Sequence, residues 1–207
     1  MTSAPLARTA CFGGLAIAWD ERVLEPRPWT IAQPQWLAEL SSDAPDGPAL
    51  ELFCGAGQMG LALARLTGRP TVLGDLNPVA CDFARANAAA AGLDVDVRHA
   101  AVDATARDDE RFALMLVDPP WVASADVGVF PDDPTLAIDG GPEGLDLART
   151  ALDVIDRHLA PGGQAVLQLG FATQVDDLWR TTSTGLELVA VRDHRPGGVL
   201  AHLRAPR

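Results

Sequence analysis

Lysine and tyrosine are absent from the 207-residue sequence, and acidic residues outnumber basic ones by 28 to 16, which gives a formal net charge of −12 at pH 7. A negative field of this kind repels the phosphate backbone of nucleic acids. We therefore expect bulk nucleic acid to be a disfavoured partner, whereas a free base or nucleotide needs no positive surface patch.

Cysteine is also scarce. The three cysteines are an odd number without the spacing of metal ligands, and the four histidines show no such spacing either. This composition supports neither a disulfide framework nor a metal site. A short apolar stretch at residues 11–17 follows Arg8 and resembles a leader peptide, with residues 16–18 as its cleavage site, but glycines interrupt it. No apolar run approaches the roughly 20 residues of a membrane span, and we expect a cytoplasmic protein.

Short apolar segments alternate with amphipathic ones from Ala49 onward, which is typical of a parallel sheet with helices on both faces. The predicted strands are 49–54, 71–74, 95–99, 112–117, 164–169, 186–191 and 199–203. The predicted helices are 59–66, 78–91, 144–159 and 173–181. Pro78 in a first turn and Gly92 past a last turn support the second helix. We therefore predict an α/β fold with a seven-stranded, mostly parallel sheet.

The length fits a single domain. A turn-rich stretch at residues 43–48 divides the chain into an N-terminal segment, 1–42, and a core, 43–207. The oligomeric state is left open.

A glycine motif follows the first predicted strand. In ELFCGAGQMG, Gly55, Gly57 and Gly60 form a GxGxxG pattern at a strand-to-helix turn. Missing side chains at such a turn let a ligand approach the backbone. The pattern by itself also fits a tight turn that packs a helix on a strand, or a dinucleotide site.

Acidic residues near the glycines indicate which ligand they bind. Asp75 ends the next strand, where a carboxylate can accept both hydroxyls of an adenosine ribose. Any ribose-bearing cofactor, NAD included, would satisfy it, and helix capping is the structural alternative. Glu51 would disfavour a pyrophosphate and suit a cationic aminoacyl group. Asp103 and Ala104, after the third strand, are placed to meet an adenine ring, with a surface position as the alternative.

The fourth strand leads into the tetrapeptide Asp118, Pro119, Pro120 and Trp121. The two prolines fix φ and remove two backbone donors, which leaves carbonyl oxygens free to accept from an amine. Asp118 adds an anionic acceptor, and Trp121 offers a face on which a planar group can stack. We predict a catalytic role for all four residues. The alternative is a rigid turn with a buried tryptophan.

These segments together resemble the HemK/PrmC family of protein-glutamine methyltransferases, which have the Rossmann-like class I fold. The resemblance rests on VLEPRPWT, similar to the family's PRPET segment, on ELFCGAG, on DPPW in place of NPPY, and on the stretch AIDGGPEGLDLARTALDVIDRHLAPGGQAVLQLG. It implies S-adenosylmethionine as the cofactor. The residues implied to bind it are Phe53, Cys54, Gly55, Ala56, Gly57, Asp75, Asp103, Ala104 and Asp118.

The resemblance also implies that Arg27 and Thr30 belong to a hairpin beside the acceptor pocket, where they bind substrate with Asp118 and Trp121. A surface arginine and a turn threonine are the alternatives. Family members carry an N-terminal helical domain that helps to recognise release factors. Because only about two dozen residues precede the PRP segment here, we expect that domain to be absent.

Asp118 replaces the asparagine of the family, and Trp29 replaces an acidic residue. An asparagine donates and accepts at once, whereas an ionised aspartate only accepts, which suits an amine better than an amide. We predict an N-methyltransferase that acts on a planar nitrogen. Its acceptor is a protein glutamine amide, a nucleobase amine or a small-molecule amine. A nicotinamide-dependent reductase and a non-catalytic cofactor-binding module are the alternatives from other classes.

Overall fold

The computed structural model describes residues 6–194 and 197–207. Its strands are β1 (Arg8–Phe12), β2 (Leu15–Trp19), β3 (Ala49–Leu52), β4 (Thr71–Asp75), β5 (Val95–His99), β6 (Phe112–Val117), β7 (Leu159–Leu169), β8 (Glu187–Asp193) and β9 (Val199–Arg204). Its helices are α1 (Ala32–Leu40), α2 (Gln58–Thr67), α3 (Pro78–Ala91), α4 (Thr135–Ile138), α5 (Asp146–His158) and α6 (Ala172–Thr181). Short 3-10 turns cover Pro28–Ile31, Val102–Ala104 and Ser124–Val129. Within this described part, no helix has the length and hydrophobicity to cross a bilayer.

Seven strands form one sheet in the order β5-β4-β3-β6-β7-β9-β8. Strands β3 to β7 pair in parallel, whereas β9 runs antiparallel to both β7 and β8. This sheet confirms the predicted α/β fold. Most predicted bounds differ from the observed ones by no more than one or two residues. Strand β7 is the exception and begins earlier, at Leu159, because Leu159 pairs with Phe112 across a register irregularity.

Hydrophobic side chains cover both faces of the sheet. Helices α5 and α6 pack on one face, and α1, α2 and α3 pack on the other. Strand β6 lies at the centre, and each of its six residues is buried. The sequence of such a central strand is a continuous hydrophobic run because both faces of the strand lie inside the protein.

Helix α3 shows how the sequence sets the ends of an element. The side chain of Asn77 accepts a hydrogen bond from the Val79 N–H at 3.0 Å, and Pro78 occupies the first turn. Gly92 ends the helix with a φ of 65°, a left-handed conformation that favours glycine. The bounds of this helix are those predicted from the sequence.

The N-terminal segment contains two elements that the sequence patterns did not predict, the β1–β2 hairpin and helix α1. The hairpin packs on α3, where Asn87 exchanges hydrogen bonds of 2.8 and 2.9 Å with the backbone of Ala18. The prediction that Arg27 and Thr30 belong to a hairpin is therefore wrong. Arg27 precedes the 3-10 turn at Pro28–Ile31, and Thr30 lies within it, since the proline favours a tight turn at this point.

Gly60 lets α2 approach the sheet. A Cβ atom at this position would overlap the Leu73 side chain and the Oε2 atom of Glu51. The Gly60 N–H donates to that same Oε2 atom at 3.0 Å. The third glycine of the motif therefore serves the packing of a helix on a strand.

We expect Gly60→Ala to destabilise the protein by about 1–3 kcal/mol, because the added methyl group overpacks a closed interface. Urea unfolding monitored by circular dichroism would measure the loss. Gly128→Ala is the matched control, since a Cβ atom there meets nothing within 4 Å and the effect should stay within about 0.5 kcal/mol. Equal stability of the two variants would contradict this prediction.

Candidate active site

Two cavities lie at the carboxyl edge of the parallel strands. The first is lined by residues that include Phe53, Gly55, Gln58, Asp75, Val102 and Thr105. The second is lined by residues that include Arg27, Trp29, Thr30, Trp121, Phe130 and Gln168. Asp118 and Pro120 line both cavities. A ligand in either cavity therefore meets the end of β6, as the general rule for open α/β sheets predicts.

The loop after β3 turns sharply into helix α2. Gly55 and Gly57 have φ angles of 52° and 84°, and Phe53 has a φ of 62°, which is unusual for a residue with a side chain. Gly57 also faces helix α3, where an added Cβ would lie 3.0 Å from the Ala84 Cβ. The strained backbone at Phe53 is the kind of feature that clusters at ligand sites.

Asp75 closes this loop from the neighbouring strand. One carboxylate oxygen accepts from the Gly55 N–H and the other from the Asn77 N–H, both at 2.8 Å. Burial raises the pKa of Asp75 above its usual value. The side-chain cap of helix α3 is Asn77, so helix capping does not account for Asp75. Its carboxylate lies in the wall of the first cavity with acceptor capacity to spare.

Several predicted cofactor residues do not line the first cavity. Glu51, Cys54 and Ala56 are fully buried beneath the loop, whereas Asp103 and Ala104 are exposed on the 3-10 turn. The six predicted residues outside the lining are Glu51, Cys54, Ala56, Gly57, Asp103 and Ala104. The contacts expected of their side chains stay predictions.

Glu51 has a structural contact instead. Its Oε2 atom accepts from the Gly60 N–H, and its Oε1 atom is buried without a hydrogen-bond partner among the residues that the structure describes. Burial raises the pKa of this carboxyl well above its usual value. Glu51 therefore ties the start of α2 to β3, and it is not part of the lining of the first cavity.

Gln58, Val102 and Thr105 line the first cavity although the sequence motifs did not single them out. The Oε1 atom of Gln58 is buried and has no hydrogen-bond partner in the described part of the chain. An unpaired buried amide oxygen costs about 1–3 kcal/mol unless a ligand donor reaches it. The one sequence signal for Gln58 is its place directly after the glycine loop at the start of α2.

Asp118 stands between the two cavities. Within the described residues no donor reaches its carboxylate, and burial raises its pKa to about 7. The backbone oxygens of Pro119 and Pro120 likewise accept no hydrogen bond from the described part of the chain. The site thus presents several unused acceptors side by side, which suits a ligand that carries N–H groups.

The glycine-rich loop at residues 139–146 holds this tetrapeptide in place. Val122 donates to the Ile138 carbonyl, and Gly140 donates back to the Val122 carbonyl, both at 2.9 Å. A Cβ atom on Gly140 would lie 2.6 Å from the Pro120 oxygen. Asp139 accepts from Ser124 Oγ at 2.7 Å, which helps to keep its pKa low. The glycine-rich loop therefore fixes the position of the tetrapeptide from Asp118 to Trp121.

Aromatic rings form walls of the second cavity. Trp121 meets Phe171 edge to face at a centroid distance of 6.2 Å. Trp29 packs so closely on Gly197 that a Cβ atom there would overlap its indole. A cavity of about 400 Å³ between such walls has the size of an ordinary small-ligand site.

Arg27 and Thr30 do line the second cavity, although on a turn and not on a hairpin. Arg27 pairs with Asp133 at 2.6 Å, and its guanidinium lies 5.9 Å from the centre of the Trp29 ring. The Thr30 hydroxyl donates to the Arg27 carbonyl at 2.9 Å. Thr30 therefore stabilises the turn that presents Arg27 and Trp29 to the cavity.

No group of three or more potential ligand side chains converges to hold a metal ion in the described ranges. All three cysteines are free, and Cys54 and Cys81 are buried. Burial raises the pKa of the Cys54 thiol well above its usual value, which suppresses the thiolate form.

The sheet order and the site define a class I methyltransferase fold. A 16S rRNA methyltransferase of Thermus thermophilus, RsmC, solved with S-adenosylmethionine and guanosine, matches the structure with a TM-score of 0.70 at 18% sequence identity. That match covers 100% of this chain and 52% of the other.

The chain belongs to the HemK/PrmC family of this class. Residues 34–130 match the family described as Methyltransferase small domain. A release factor glutamine methyltransferase of Agrobacterium fabrum is 30% identical over 194 residues, which are 88% of this chain and 67% of that protein. One of Deinococcus radiodurans is 33% identical over 167 residues, or 76% and 58% of the two chains. The chain thus spans about three-fifths of the length of several relatives.

We expect Asp75→Leu to weaken the binding of S-adenosylhomocysteine about 10- to 100-fold, because hydrogen bonds to a charged acceptor contribute about 1.5–3 kcal/mol. Isothermal titration calorimetry would measure the affinity. Asp82→Leu is the control, since Asp82 is an exposed acid on α3 that does not line the cavity. An affinity of the Asp75 variant within twofold of the wild type would refute the assignment.

Proposed function

We propose that the protein is an S-adenosylmethionine-dependent N-methyltransferase that acts on a planar nitrogen of the acceptor, with a protein glutamine amide as its first candidate. The observation that carries the proposal is the position of Asp118 in the shared wall of two cavities. One cavity has the parts of a nucleoside site, and the other is an aromatic-walled acceptor site. A transfer reaction needs its two substrates to meet at such a point.

The residues of the first cavity fit the cofactor. Asp75 supplies acceptors for a ribose, and Phe53, Val102 and Thr105 offer largely apolar surface for an adenine ring. The unpaired Oε1 atom of Gln58 fits a donor such as the ammonium of an aminoacyl group. When bound, S-adenosylmethionine supplies a methyl group on a positively charged sulfur.

Asp118 and the proline carbonyls would position the acceptor nitrogen. The ionised carboxylate accepts one N–H, and a free oxygen of Pro119 or Pro120 accepts another, so that the nitrogen lone pair faces the first cavity. The nitrogen gains the methyl group and loses one proton. Asp118 can take up that proton because its pKa lies near 7.

A nucleobase exocyclic amine is the second candidate acceptor. Trp29 and Trp121, which both line the second cavity, suit a stacked base, and RsmC was solved with guanosine. The net charge of −12 disfavours a long nucleic acid as the acceptor. The two relatives named above are release factor glutamine methyltransferases, and this similarity favours a protein acceptor. We also place the reaction in the cytoplasm, in keeping with the free cysteines.

Methyl-labelled S-adenosylmethionine and an extract of the same organism would test the proposal. We expect label to enter the protein fraction, and Asp118→Ala to lower the rate at least about a hundredfold because the positioned acceptor is lost. Asp109→Ala is a matched control, since Asp109 is exposed and lies outside both cavities.

Three other outcomes identify the alternatives. Label in a nucleic-acid or small-molecule fraction would favour an amine acceptor. Binding of the cofactor with no transfer to any fraction would favour a non-catalytic module. Thermal stabilisation by NAD, but none by S-adenosylmethionine, would favour a reductase and remove the proposal.

The pH profile tests the role of Asp118 separately. Below pH 7 its carboxyl is protonated and loses acceptor capacity, so we expect kcat/KM to rise from pH 6 to pH 8 with an apparent pKa near 7. In Asp118→Asn this inflection should vanish while the residual rate stays flat over the same range. An unchanged inflection in the variant would assign it to another group.

A further inference from the structure

Gln168 is a buried amide in the second cavity that no described residue pairs. The residue lies near the carboxyl end of β7, is 4% exposed, and lines the cavity. Its Oε1 atom is buried without a hydrogen-bond partner, and no described residue bonds its side-chain amide. The buried Oε1 atom can only accept a hydrogen bond, whereas the NH₂ group, which bonds no described residue, is the donor that Gln168 offers to a ligand in the cavity.

A buried position on β7 does not by itself leave a glutamine amide unpaired. Gln164 lies on the same strand and is buried to the same degree. Its amide bonds the Gly162 carbonyl at 3.1 Å and the His202 ring at 2.6 Å. Of these two buried glutamines on β7, only Gln168 is unpaired within the described residues, and it lines the cavity.

The sheet register brings Gln168 beside Asp118. Val117 of β6 pairs with Leu167 of β7, so the next residues along the two strands are neighbours. Neighbouring positions on paired strands project to one face, with the strands about 4.8 Å apart. A group that bonds Asp118 is thus within reach of the Gln168 amide.

The two side chains have complementary bonding capacities. An ionised aspartate only accepts hydrogen bonds, whereas a glutamine amide both donates and accepts. A primary carboxamide carries an NH₂ group next to a carbonyl oxygen in one plane. Asp118 alone accepts from the NH₂ group of a carboxamide and leaves the carbonyl oxygen of that carboxamide unpaired.

We propose that Gln168 is a specificity-determining residue, whose side-chain amide donates to the carbonyl of a carboxamide acceptor while Asp118 accepts from its NH₂ group. The proposal rests on the proposed function, since it concerns the same acceptor site. It also answers the objection that an aspartate at position 118 suits an amine better than an amide. An alkylammonium has no acceptor atom for Gln168 and would leave its donor unused.

The test uses a short glutamine-containing peptide as the probe. Peptide methylation is followed with S-adenosylmethionine, and peptide binding is titrated on protein loaded with S-adenosylhomocysteine. We expect Gln168→Met to lower kcat/KM about 10- to 100-fold, chiefly through KM, with the affinity for S-adenosylhomocysteine within twofold of the wild type. Gln168→Glu keeps the shape, and above the pKa of the new carboxyl it has no donor, so at high pH it should bind the peptide no better than Gln168→Met.

Gln164→Met is the control for a purely structural role. It breaks the bonds to His202 and Gly162 and should lower Tm, yet the KM for the peptide should not change. Peptide kinetics and binding of Gln168→Met that match the wild type would overturn the proposal. So would an equal loss of peptide affinity in both variants.

The failure of this proposal is distinguishable from that of the proposed function. Peptide binding that depends on Gln168, without methyl transfer to any acceptor, would support the role of Gln168 and reject the reaction. A wild-type protein that neither binds nor methylates the peptide, but labels another fraction of the extract, would reject Gln168 as a carboxamide reader and leave the reaction standing.

Discussion

The parallel register of four strands is the constraint on which the site depends. Leu52 of β3 pairs with Gly74 of β4 and with Val117 of β6, and Val117 pairs with Leu167 of β7. One step further along the strands, this register brings one row of residues to the carboxyl edge of the sheet: Asp75, Phe53, Asp118 and Gln168. A shift by one residue in β6 or β7 would turn Asp118 or Gln168 to the opposite face.

Close contacts at glycine keep the loops around that row rigid. Gly60 lets α2 reach β3, and Gly140 lets the 139–146 loop meet the backbone at Pro120. Neither contact binds a ligand. Both fix the backbone around polar groups that no described residue pairs, namely the Asp118 carboxyl, the Gln58 oxygen and the Gln168 amide. Rigid surroundings allow such groups to keep their positions in spite of the cost, and catalysis by positioning requires this.

The sequence predicted the core of the fold well because each element follows from a local pattern. Helix α3 has its proline, its cap and its final glycine within one short stretch, and β6 is a continuous apolar run. The hairpin and α1 were missed because their burial depends on surfaces distant in sequence. Asn87, for example, holds the hairpin at Ala18 from 69 residues away. The prediction of a hairpin at Arg27 and Thr30 was wrong for the same reason.

The sequence by itself determined the order of strands and helices, the glycine loop, and the identity of the acidic and proline-rich strand ends. These depend on residue type and on spacing along the chain. Only the tertiary structure decided which side chains face a ligand: it turned Glu51 into the core, left Asp103 at the surface, and brought Gln58 and Gln168 to the two cavities. The physical reason is that burial and pairing of a polar group depend on neighbours from other strands, and spacing along one strand carries no record of them.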